Sequence, residues 1–315
     1  MDESEDDNNQ GSLSSPASSK IAVLIVNWNG GDLTLDAIVA VGESRLLPAE
    51  IIVVDNGSTD GSLDRVRREH PGCHLIENQE NLGFGTACNQ GFELANSLAV
   101  DFVFLLNNDA RLEPETLGEL VKAAMRHESA GLFAGKILYP DGRLWCAGVD
   151  IGFFPNLQNL RGFGQKDRGQ FDSEEVVDAL TGCGLLIRSS LLKVLNGFDE
   201  QFFVYVEDID LCARAHAAGF SAVYAPRARM THLAGASSGG GYGAWRKRIL
   251  AYNVVSYLKK HGSWRLWTSF ALLDVLSWPF LLLLGGLRGR GPAVWAKGQG
   301  MFAGLLGLKS PGPPR

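Results

Sequence analysis

The chain has 315 residues, 45% of them hydrophobic, which is enough to bury one large core or two modest ones and is typical of a globular protein. Its five cysteines are odd in number and form no Cys-x-x-Cys pair, so the sequence argues against a disulfide framework and a structural zinc site and fits a reducing cytosol. The net charge of −6 conceals an asymmetry, because the amino terminus and the middle of the chain are acidic whereas the carboxyl end is basic.

We interpret residues 1–19 as a disordered acidic tail. Residues 1–7 hold five acids and no base, and the segment contains no apolar stretch behind a basic start. The tail therefore matches neither a secretory signal nor a membrane anchor.

Residues 20–240 alternate between strand and helix signals. Short apolar runs predict strands, and each run is followed by a polar loop and then by a helical stretch. The four predicted strands are IAVLIV (21–26), EIIVV (50–54), CHLIE (73–77) and FVFLL (102–106). Four strand–loop–helix units in succession predict an α/β fold with a Rossmann-like, mostly parallel sheet flanked by helices.

Polar residues gather where the predicted strands end. They are Asn27, Asn29, Asp55, Asn78, Asn81, Asn107, Asn108 and Asp109. Asn and Asp favour turns, which explains any one of these loops. All four loops share one rim, however, and ligands bind beyond the carboxyl ends of the strands in open α/β sheets. We therefore predict a binding cleft at this rim.

Three common motifs are missing from the rim. The first turn, NWNGGD, is not the Gly-x-Gly-x-x-Gly of a dinucleotide site, and Cys88 stands where the nearest approximation needs its last glycine. The phosphate loop of NTPases and the Gly-x-Ser-x-Gly nucleophile elbow are also absent from the sequence. The sequence therefore argues against a Rossmann dehydrogenase, a P-loop NTPase and an α/β hydrolase.

Seven motifs follow one another along the middle of the chain. They are IAVLIVNWNG, EIIVVDNGSTDGS, ENLGFGTACNQG, FLLNNDA, TGCGLLIRSS, FDEQFFVYVEDIDLCARAHAAGF and THLAGASS. In this order they resemble the family 2 glycosyltransferases of GT-A fold, most closely the bacterial rhamnosyltransferase-like branch. The resemblance covers residues 20–240, which we expect to form one GT-A domain.

The resemblance implies a nucleoside-diphosphate sugar as donor and a divalent metal, Mn²⁺ or Mg²⁺, as cofactor. Asp109 corresponds to the last acid of the family's Asp-x-Asp motif, and His232 resembles its second metal ligand. Asn107 replaces the first acid of that motif, and because an amide is a weaker ligand than a carboxylate, strict metal dependence stays open. A lone histidine is otherwise more often structural.

The resemblance also implies the residues of the nucleotide-sugar site. They are Asn27, Asn29, Asp55, Asn81, Gly83, Asn89, Asn107, Asn108 and Asp109. Asp55 would hold the nucleoside, and the glycine of the NLGFG loop would permit close backbone approach to the diphosphate. The alternatives are that Asp55 caps its own turn and that the loop of Asn81 forms a helix N-terminus.

The segment VEDID supplies three acids on the acceptor side, Glu207, Asp208 and Asp210. Inversion by direct displacement requires a base that takes the proton of the acceptor hydroxyl. By resemblance to the family's Glu-Asp motif, Asp208 is the predicted base. Asp210 precedes Arg214 by four residues, and we expect these two to form a surface ion pair. The alternative is an acidic first turn that stabilises the helix dipole.

Two further segments are predicted to face the acceptor. Residues 145–163 are irregular and rich in Gly and aromatic residues, which is typical of a binding flap. The glycines around Thr181 and Cys183 precede a strand-like run. No residue near Cys183 resembles a base, so we expect its thiol to serve packing.

Residues 241–315 form a basic, Trp-rich extension that we expect to be helical and membrane-associated. They hold eleven Lys or Arg against one acid, together with five of the seven tryptophans. The apolar run Ser269–Leu287 is flanked by basic residues on both sides, which favours a helix or hairpin lying in the membrane interface over a single span. A buried C-terminal helix pair is the alternative. Such an apolar run argues against a nucleic-acid partner.

The sequence thus predicts an inverting glycosyltransferase peripherally bound to the cytoplasmic face of the cell membrane. The resemblance favours dTDP-L-rhamnose as the donor of L-rhamnose, with UDP- and GDP-sugars as alternatives. The acceptor is expected to be a lipid-linked or cell-envelope glycan. A catalytically silent, membrane-tethered module that binds a nucleotide stays open as a different class. A sugar nucleotidyltransferase is disfavoured, because the Gly-rich basic loop after the first strand is absent.

Overall fold

The computed structural model describes residues 16–153, 156–233 and 243–312. Residues 1–15 of the predicted tail lie outside this range, and so does most of the THLAGASS motif after Leu233 together with the predicted domain boundary at 240. The end of the predicted tail is structured, since Pro16–Ser18 form a 3-10 turn directly before the first strand.

The first half of the main sheet is parallel, as predicted. Its strands are β1 (Ile21–Asn27), β2 (Glu50–Asp55), β3 (His74–Glu77) and β4 (Phe102–Asn107), in the order β3-β2-β1-β4. The helices of this half are α1 (Asp32–Gly42), α2 (Ser62–Glu69), α3 (Phe84–Ser97) and α4 (Thr116–Arg126). Residues 21–25 of β1 are almost completely buried, because helices cover both faces of the strand. Asn27 and Asp55 are register partners, so β1 and β2 end at the same height.

The second half of the sheet is mixed rather than parallel. Its strands are β5 (Ala110–Leu112), β6 (Ala130–Leu138), β7 (Leu144–Cys146), β10 (Glu175–Val177), β11 (Gly184–Arg188) and β12 (Ser221–His232), while β8 (Val149–Ile151) and β9 (Gln158–Leu160) form a separate hairpin. Strand β11 lies antiparallel between β4 and β6, so Gly184 is opposite Leu106. The start of β11 therefore meets the carboxyl end of β4 at the predicted rim.

Two helices lie between β11 and β12. They are α5 (Ser189–Leu195), directly after β11, and α6 (Glu207–Ala217), which begins with the VEDID acids. Asp210 of α6 is fully buried, which corrects the expectation of a surface pair. Its carboxylate accepts hydrogen bonds from Arg214 at 2.7 Å, Lys260 at 2.6 Å and His261 at 2.8 Å. Burial alone would raise the pKa of Asp210, but these three donors lower it to about 2.

The C-terminal extension is helical, as expected. It consists of α7 (Ala244–His261), α8 (Trp264–Phe270), a π-helical segment (Ala271–Leu276), α9 (Trp278–Leu287) and α10 (Gly291–Leu305). Helices α7 and α10 pack closely, since a Cβ on Gly300 would lie 1.9 Å from the Arg248 carbonyl oxygen. Lys260 and His261 of α7 are the residues that reach Asp210, so the extension is anchored to α6.

The part of the extension between α7 and α10 is largely exposed. Within the described residues, Trp264–Leu287 is one helical stretch of 24 residues that is long and apolar enough to cross a membrane, by length and composition only. Only 11% of its most apolar 18-residue portion is buried. The alternative of a buried helix pair therefore describes α7 and α10 but not α8 and α9.

Candidate active site

The ends of β1 and β2 are joined by a buried hydrogen-bond cluster. The Asn27 side-chain amide donates to Asp55 Oδ1 at 2.7 Å and to Ser62 Oγ at 2.8 Å. Its carbonyl oxygen accepts a hydrogen bond of 2.7 Å from Thr34 Oγ1. Asn27 is fully buried and its amide is occupied by these bonds, so its direct effect is to hold Asp55 at the rim.

Asn29 lies on the exposed side of the same cluster. Its side-chain oxygen accepts from the Thr59 backbone N–H at 2.8 Å, and its own N–H donates to Ser58 Oγ at 2.9 Å. The Ser58 N–H in turn donates to Asp55 Oδ2 at 2.9 Å. The loops after β1 and β2 are thereby fastened to each other, with Asp55 between them.

A second cluster of amides holds the loop before α3, and its central residue, Asn56, was missed by the sequence reasoning. The Asn56 side chain donates to Asn81 Oδ1 and to the Gly83 carbonyl, both at 3.1 Å, and accepts from Asn78. Asn81 also accepts from the Gly83 N–H at 2.9 Å. Asn56 directly follows Asp55 at the end of β2, and that position was the available signal.

Gly83 allows a close approach by the protein's own backbone. It has a φ of 93°, and a Cβ at this position would lie 2.5 Å from the Phe203 carbonyl oxygen. That oxygen accepts a 2.7 Å hydrogen bond from the Phe84 N–H. The NLGFG loop is thus fastened to the segment that leads into α6.

Asn89 has a different environment from the other predicted site residues. Its side chain donates to the Phe198 carbonyl and to Glu200, both at 3.0 Å, and accepts from the Phe198 N–H at 2.8 Å. The amide is therefore occupied by the turn after α5, and this pairing connects α3 to the segment before α6.

Asp109 and His232 are in contact, as the resemblance implies. Asp109 Oδ1 and His232 Nε2 are 3.0 Å apart, and both residues are buried. The contact follows from strand pairing, because His232 of β12 is the register partner of Ala110 in β5. The Trp145 ring packs edge-on against the imidazole with centroids 4.5 Å apart. His232 Nδ1 is buried and has no hydrogen-bond partner among the described residues.

The donor set at Asp109 and His232 fits a divalent ion only in part. One carboxylate and one imidazole are acceptable ligands for Mn²⁺ or Mg²⁺, which commonly take their other ligands from substrate phosphates and water. The described residues contain no group of three or more His, Cys, Asp and Glu that could hold an ion. The two residues could therefore hold a metal together with a diphosphate, but do not form a complete site by themselves.

Asn107 and Asn108 line the strand end beside this pair. The Asn107 N–H donates to the Cys183 carbonyl at 3.1 Å. The Asn108 amide lies 3.4 Å from Thr34 Oγ1, and Gly30 is needed beside it because a Cβ there would lie 2.2 Å from the Asn108 amide nitrogen.

The Asp208 carboxylate bonds to the segment that is paired with the end of β4. Its Oδ2 accepts from the Gly182 N–H at 3.1 Å, and its Oδ1 accepts from the Ile209 N–H at 2.9 Å. Gly182 precedes Cys183, whose carbonyl is bonded to the Asn107 N–H. Residues 182 and 183 thus bridge the end of β4 and the first turn of α6.

The carboxylates around this bridge affect the pKa of the Cys183 thiol buried within it. Burial raises the pKa of the Cys183 thiol well above its usual range, and the negative charges of Asp109 and Asp208 raise it further. The thiol is therefore protonated and inert, in agreement with a packing role. Burial also raises the pKa of Asp208, against the opposing effect of its Gly182 and Ile209 hydrogen bonds.

Glu207 is buried directly beside Asp208. Burial raises the pKa of Glu207 well above its usual range, and the neighbouring Asp208 charge adds to the effect. Its Oε2 has no hydrogen-bond partner among the described residues. Of the two neighbouring carboxyl groups, Asp208 is the one that accepts a hydrogen bond from the Gly182 N–H of the bridge.

The predicted acceptor flap touches both the site and the extension. Trp145 at its start contacts His232, and Phe153 packs edge-on against Phe270 of α8 with centroids 5.8 Å apart. Residues 154 and 155 lie outside the described residues. The segment thus lies between the candidate metal ligands and the apolar part of the extension.

The chain is similar in sequence to known proteins. The model of the family "Glycosyl transferase family 2" matches residues 22–195. The chain is 30% identical over 243 residues to the N-acetylglucosaminyl-diphospho-decaprenol L-rhamnosyltransferase of Mycobacterium tuberculosis, covering 70% of this chain and 78% of that protein. It is 44% identical over 141 residues to the rhamnosyltransferase WbbL of Escherichia coli, covering 42% of this chain and 53% of the relative.

Two solved structures share the fold. The mannosyltransferase PcManGT from Pyrobaculum calidifontis, in complex with GDP-Man and Mn²⁺, has a TM-score of 0.56 at 18% identity and covers 92% of this chain and 88% of its own. GalNAc-T7 with UDP, GalNAc and Mn²⁺ has a TM-score of 0.55 at 15% identity, covering 68% and 43%. These likenesses confirm the predicted GT-A fold. The chain therefore belongs to glycosyl transferase family 2 and is a nucleotide-sugar-dependent glycosyltransferase of the rhamnosyltransferase-like branch.

Proposed function

We propose that this enzyme inverts the anomeric centre while moving L-rhamnose from dTDP-L-rhamnose to a hydroxyl of a lipid-linked or cell-envelope glycan. The observation that carries the proposal is that the Gly182 N–H bonds to Asp208 while the Cys183 carbonyl bonds to the Asn107 N–H, two residues before Asp109. The name of the Mycobacterium tuberculosis relative, a rhamnosyltransferase acting on a diphospho-decaprenol, supports the donor and the acceptor class.

Asp208 is the proposed general base. Its carboxylate would take the proton from the acceptor hydroxyl as that oxygen attacks the anomeric carbon from the face opposite the leaving diphosphate. Burial raises the pKa of this carboxyl, which makes it a stronger base than an exposed aspartate. The Gly182 and Ile209 N–H groups fix the orientation of both oxygens.

Asp109 and His232 are the proposed ligands of a Mn²⁺ or Mg²⁺ ion. When bound, such an ion acts as a Lewis acid that stabilises the negative charge of the leaving diphosphate. Because Asn107 supplies an amide where the family motif has a first acid, we expect tight metal binding to require the nucleotide-sugar as well.

The nucleotide is proposed to lie along the loops after β1, β2 and β3. Asp55, held by Asn27, would accept hydrogen bonds from the base or ribose, with Asn29 at the open side of the pocket. The remaining predicted donor-site residues are Asn81, Gly83, Asn89, Asn107 and Asn108. Of these, Asn89 acts through the Phe198 turn in the structure, so its proposed contribution is indirect.

The extension is proposed to bind the cytoplasmic surface of an anionic membrane. Leu276, Phe280, Leu283 and Leu287 form one apolar stripe, since their spacing of three to four residues places them on one helix face. Their exposed fractions are 69%, 62%, 66% and 81%. The exposed Arg265 and Arg288 lie at the two ends of the stretch, where they can meet lipid phosphates.

The enzymatic proposal is tested by the slow loss of sugar from the donor to water. The full chain with Mn²⁺ is expected to release dTDP from dTDP-L-rhamnose, and Asp208→Asn should lower this rate by at least about 100-fold while nucleotide binding persists. Asp64→Asn, an exposed helix residue, serves as the matched control.

The outcomes separate the alternatives. Faster release from a UDP- or GDP-sugar would replace the proposed donor but keep the reaction. Nucleotide binding without release from any of the three donors would identify a silent module. Unchanged release by Asp208→Asn would remove Asp208 from its proposed role.

A further inference from the structure

The backbone directly before α6 is strained. Tyr205 and Val206 have φ values of 69° and 77°, in the left-handed region that aromatic and β-branched residues rarely adopt. Such conformations persist only where the surrounding structure holds them. Asp208 follows two residues later, so the direction of its side chain depends on what holds this turn.

Asn253 of α7 bonds directly to the strained turn. Its side-chain nitrogen donates to the carbonyls of Val204 at 2.9 Å and Tyr205 at 2.8 Å. Carbonyls only accept hydrogen bonds, so the amide nitrogen must be the atom that faces them. Both N–H groups of the amide are thereby used on two consecutive residues of the turn.

The environment of Asn253 makes this contact specific. The residue is 0% exposed, and its side-chain oxygen has no partner among the described residues. A buried amide with an unpaired oxygen is costly, and an apolar side chain of similar size would avoid that cost. The pair of donors is therefore what distinguishes asparagine from leucine at this position.

Other residues of α7 contact the same turn. The Arg246 guanidinium lies 5.0 Å from the centre of the Tyr205 ring, and Trp245 packs edge-on against Phe203 with centroids 6.3 Å apart. The Phe203 carbonyl bonds to the Phe84 N–H, beside the proposed diphosphate loop. The turn of residues 203–206 is thus held between the extension and the donor side of the cleft.

We propose that Asn253 is a positioning residue for the transfer reaction. By holding the carbonyls of residues 204 and 205, α7 keeps the turn in its left-handed conformation and so directs the Asp208 carboxylate toward the acceptor. The C-terminal extension is then part of the catalytic apparatus in addition to any membrane role. This inference rests on the proposed role of Asp208.

The test compares Asn253→Leu, which removes both donors at similar size, with Ser256→Ala on the same helix, whose hydroxyl donates to the Tyr252 carbonyl of its own helix. Two measurements are made on the full chain. The first is backbone amide exchange of residues 203–208, with residues 184–188 of β11 as an internal reference. The second is donor hydrolysis of dTDP-L-rhamnose, separated into kcat and KM.

For Asn253→Leu we expect exchange at 203–208 to accelerate about tenfold with β11 unchanged. We also expect kcat to fall about 10- to 100-fold with KM for the donor altered less than about threefold, because the base is misplaced and the donor site is not. Ser256→Ala should leave both readouts at wild-type values. Unchanged exchange and kcat in Asn253→Leu, or an equal loss in both variants, would overturn the proposal.

A second variant keeps the test decisive if Asn253→Leu is poorly folded. Tyr205→Gly removes one side chain that strains the turn, so Asn253→Leu should cost a smaller factor in kcat in that background than in the wild type. If neither the single nor the double variant folds, Asn253 is a general determinant of stability and the proposal fails. If the wild type shows no donor hydrolysis, the proposed function fails, while amide exchange still decides whether Asn253 holds the turn.

Discussion

At the scale of single residues, neutral amides shape the cleft. Asn27, Asn56 and Asn253 are each at most 2% exposed, and each bonds to at least one other segment of the chain. An amide offers donors and an acceptor, so it can join two loops without burying a net charge. The proposed chemistry is thereby left to Asp109, His232 and Asp208, while the loops around them are joined by side chains that carry no charge.

Gly83→Ala tests the contact between the NLGFG loop and the turn before α6. A methyl group at this position would lie 2.5 Å from the Phe203 carbonyl oxygen, and alanine disfavours the φ of 93°. We expect the free energy of unfolding to fall by about 2 kcal/mol and kcat for donor hydrolysis to fall about tenfold or more, because Phe203 must move. Denaturant unfolding and steady-state kinetics measure the two effects.

Gly72→Ala provides the control for this change. Gly72 has no positive φ, and no atom lies within 4 Å of a Cβ built there. The control should unfold and turn over like the wild type. Wild-type stability together with wild-type kcat in Gly83→Ala would show that the close approach of Phe203 is dispensable.

At the scale of elements, the docking of α7 on α6 depends on one buried charge. Asp210 accepts from Arg214 of its own helix and from Lys260 and His261 of α7. Lys260 also bonds to Asp199 at 2.6 Å, in the segment before the turn of residues 203–206. Helix α7 is thus held at two positions along its length, by Asn253 and by the ion pairs of Lys260 and His261 with Asp210.

Asp210 is expected to make stability depend on acid pH. Its pKa of about 2 in the folded protein lies below the usual 3.8, so its contribution is complete above pH 3.8 and is lost as the pH falls toward 2. The shift corresponds to about 2 kcal/mol. The difference in free energy of unfolding between wild type and Asp210→Asn should be fully developed at pH 5 and should shrink below pH 4.

Denaturant unfolding across this pH range, with the exposed Asp36→Asn as reference, measures the effect. A gap that is as large at pH 3 as at pH 7 would show that the Asp210 carboxylate does not contribute through its charge.

Some strands could be predicted from the sequence and others could not. Strands β1 to β4 are evident because both faces of each inner strand are covered, which produces continuous apolar runs such as IAVLIV. Strands such as β7 and β10 have three residues each, too few to show a period of two. The antiparallel placement of β11 is a property of tertiary pairing, so the mixed second half could not be predicted from local patterns.

The candidate site divides in a similar way. Asp109, Asp208 and His232 could be predicted as site residues because they occur in ordered motifs. In the structure Asp109 contacts His232, and Asp208 bonds to the segment that is paired with the end of β4, while the roles of all three stay predictions. The contact behind the proposed role of Asn253 could not be predicted, because its partners lie 48 and 49 residues earlier and no local signal marks it. Asp210 was assigned to the surface because its i,i+4 partner is visible in sequence while the cover by α7 is not.

At the scale of the whole molecule, the flap connects the candidate metal ligands to the apolar extension. The flap joins His232 through Trp145 to α8 through Phe153 and Phe270. The single acid of the extension, Asp274, is paired with Lys297, so it does not interrupt the apolar surface with a free charge. We expect a lipid-carried acceptor to reach the cleft from the side on which the extension is proposed to contact the membrane.

Membrane binding by the apolar stripe is tested with vesicles. The full chain should sediment with vesicles of phosphatidylglycerol and less with phosphatidylcholine, since basic residues flank the stripe. Leu283→Asp combined with Leu287→Asp should weaken binding about tenfold or more, because two exposed leucines no longer enter the interface. Leu47→Asp, an exposed leucine in the first half of the sheet domain, is the control and should bind like the wild type. Equal sedimentation of all variants would remove the stripe from the contact.

The buried position of Asp210 bears on how this enzyme can be produced for study. A recombinant fragment bounded by the family match at residue 195 would omit α6 and its aspartates altogether. A fragment ending near residue 240 would leave Asp210 without Lys260 and His261. It would also remove the hydrogen bonds from Asn253 to the turn of residues 203–206. An active protein should therefore be expressed with the chain retained through α10. Its exposed apolar surface is better handled with detergent or point substitutions than by truncation.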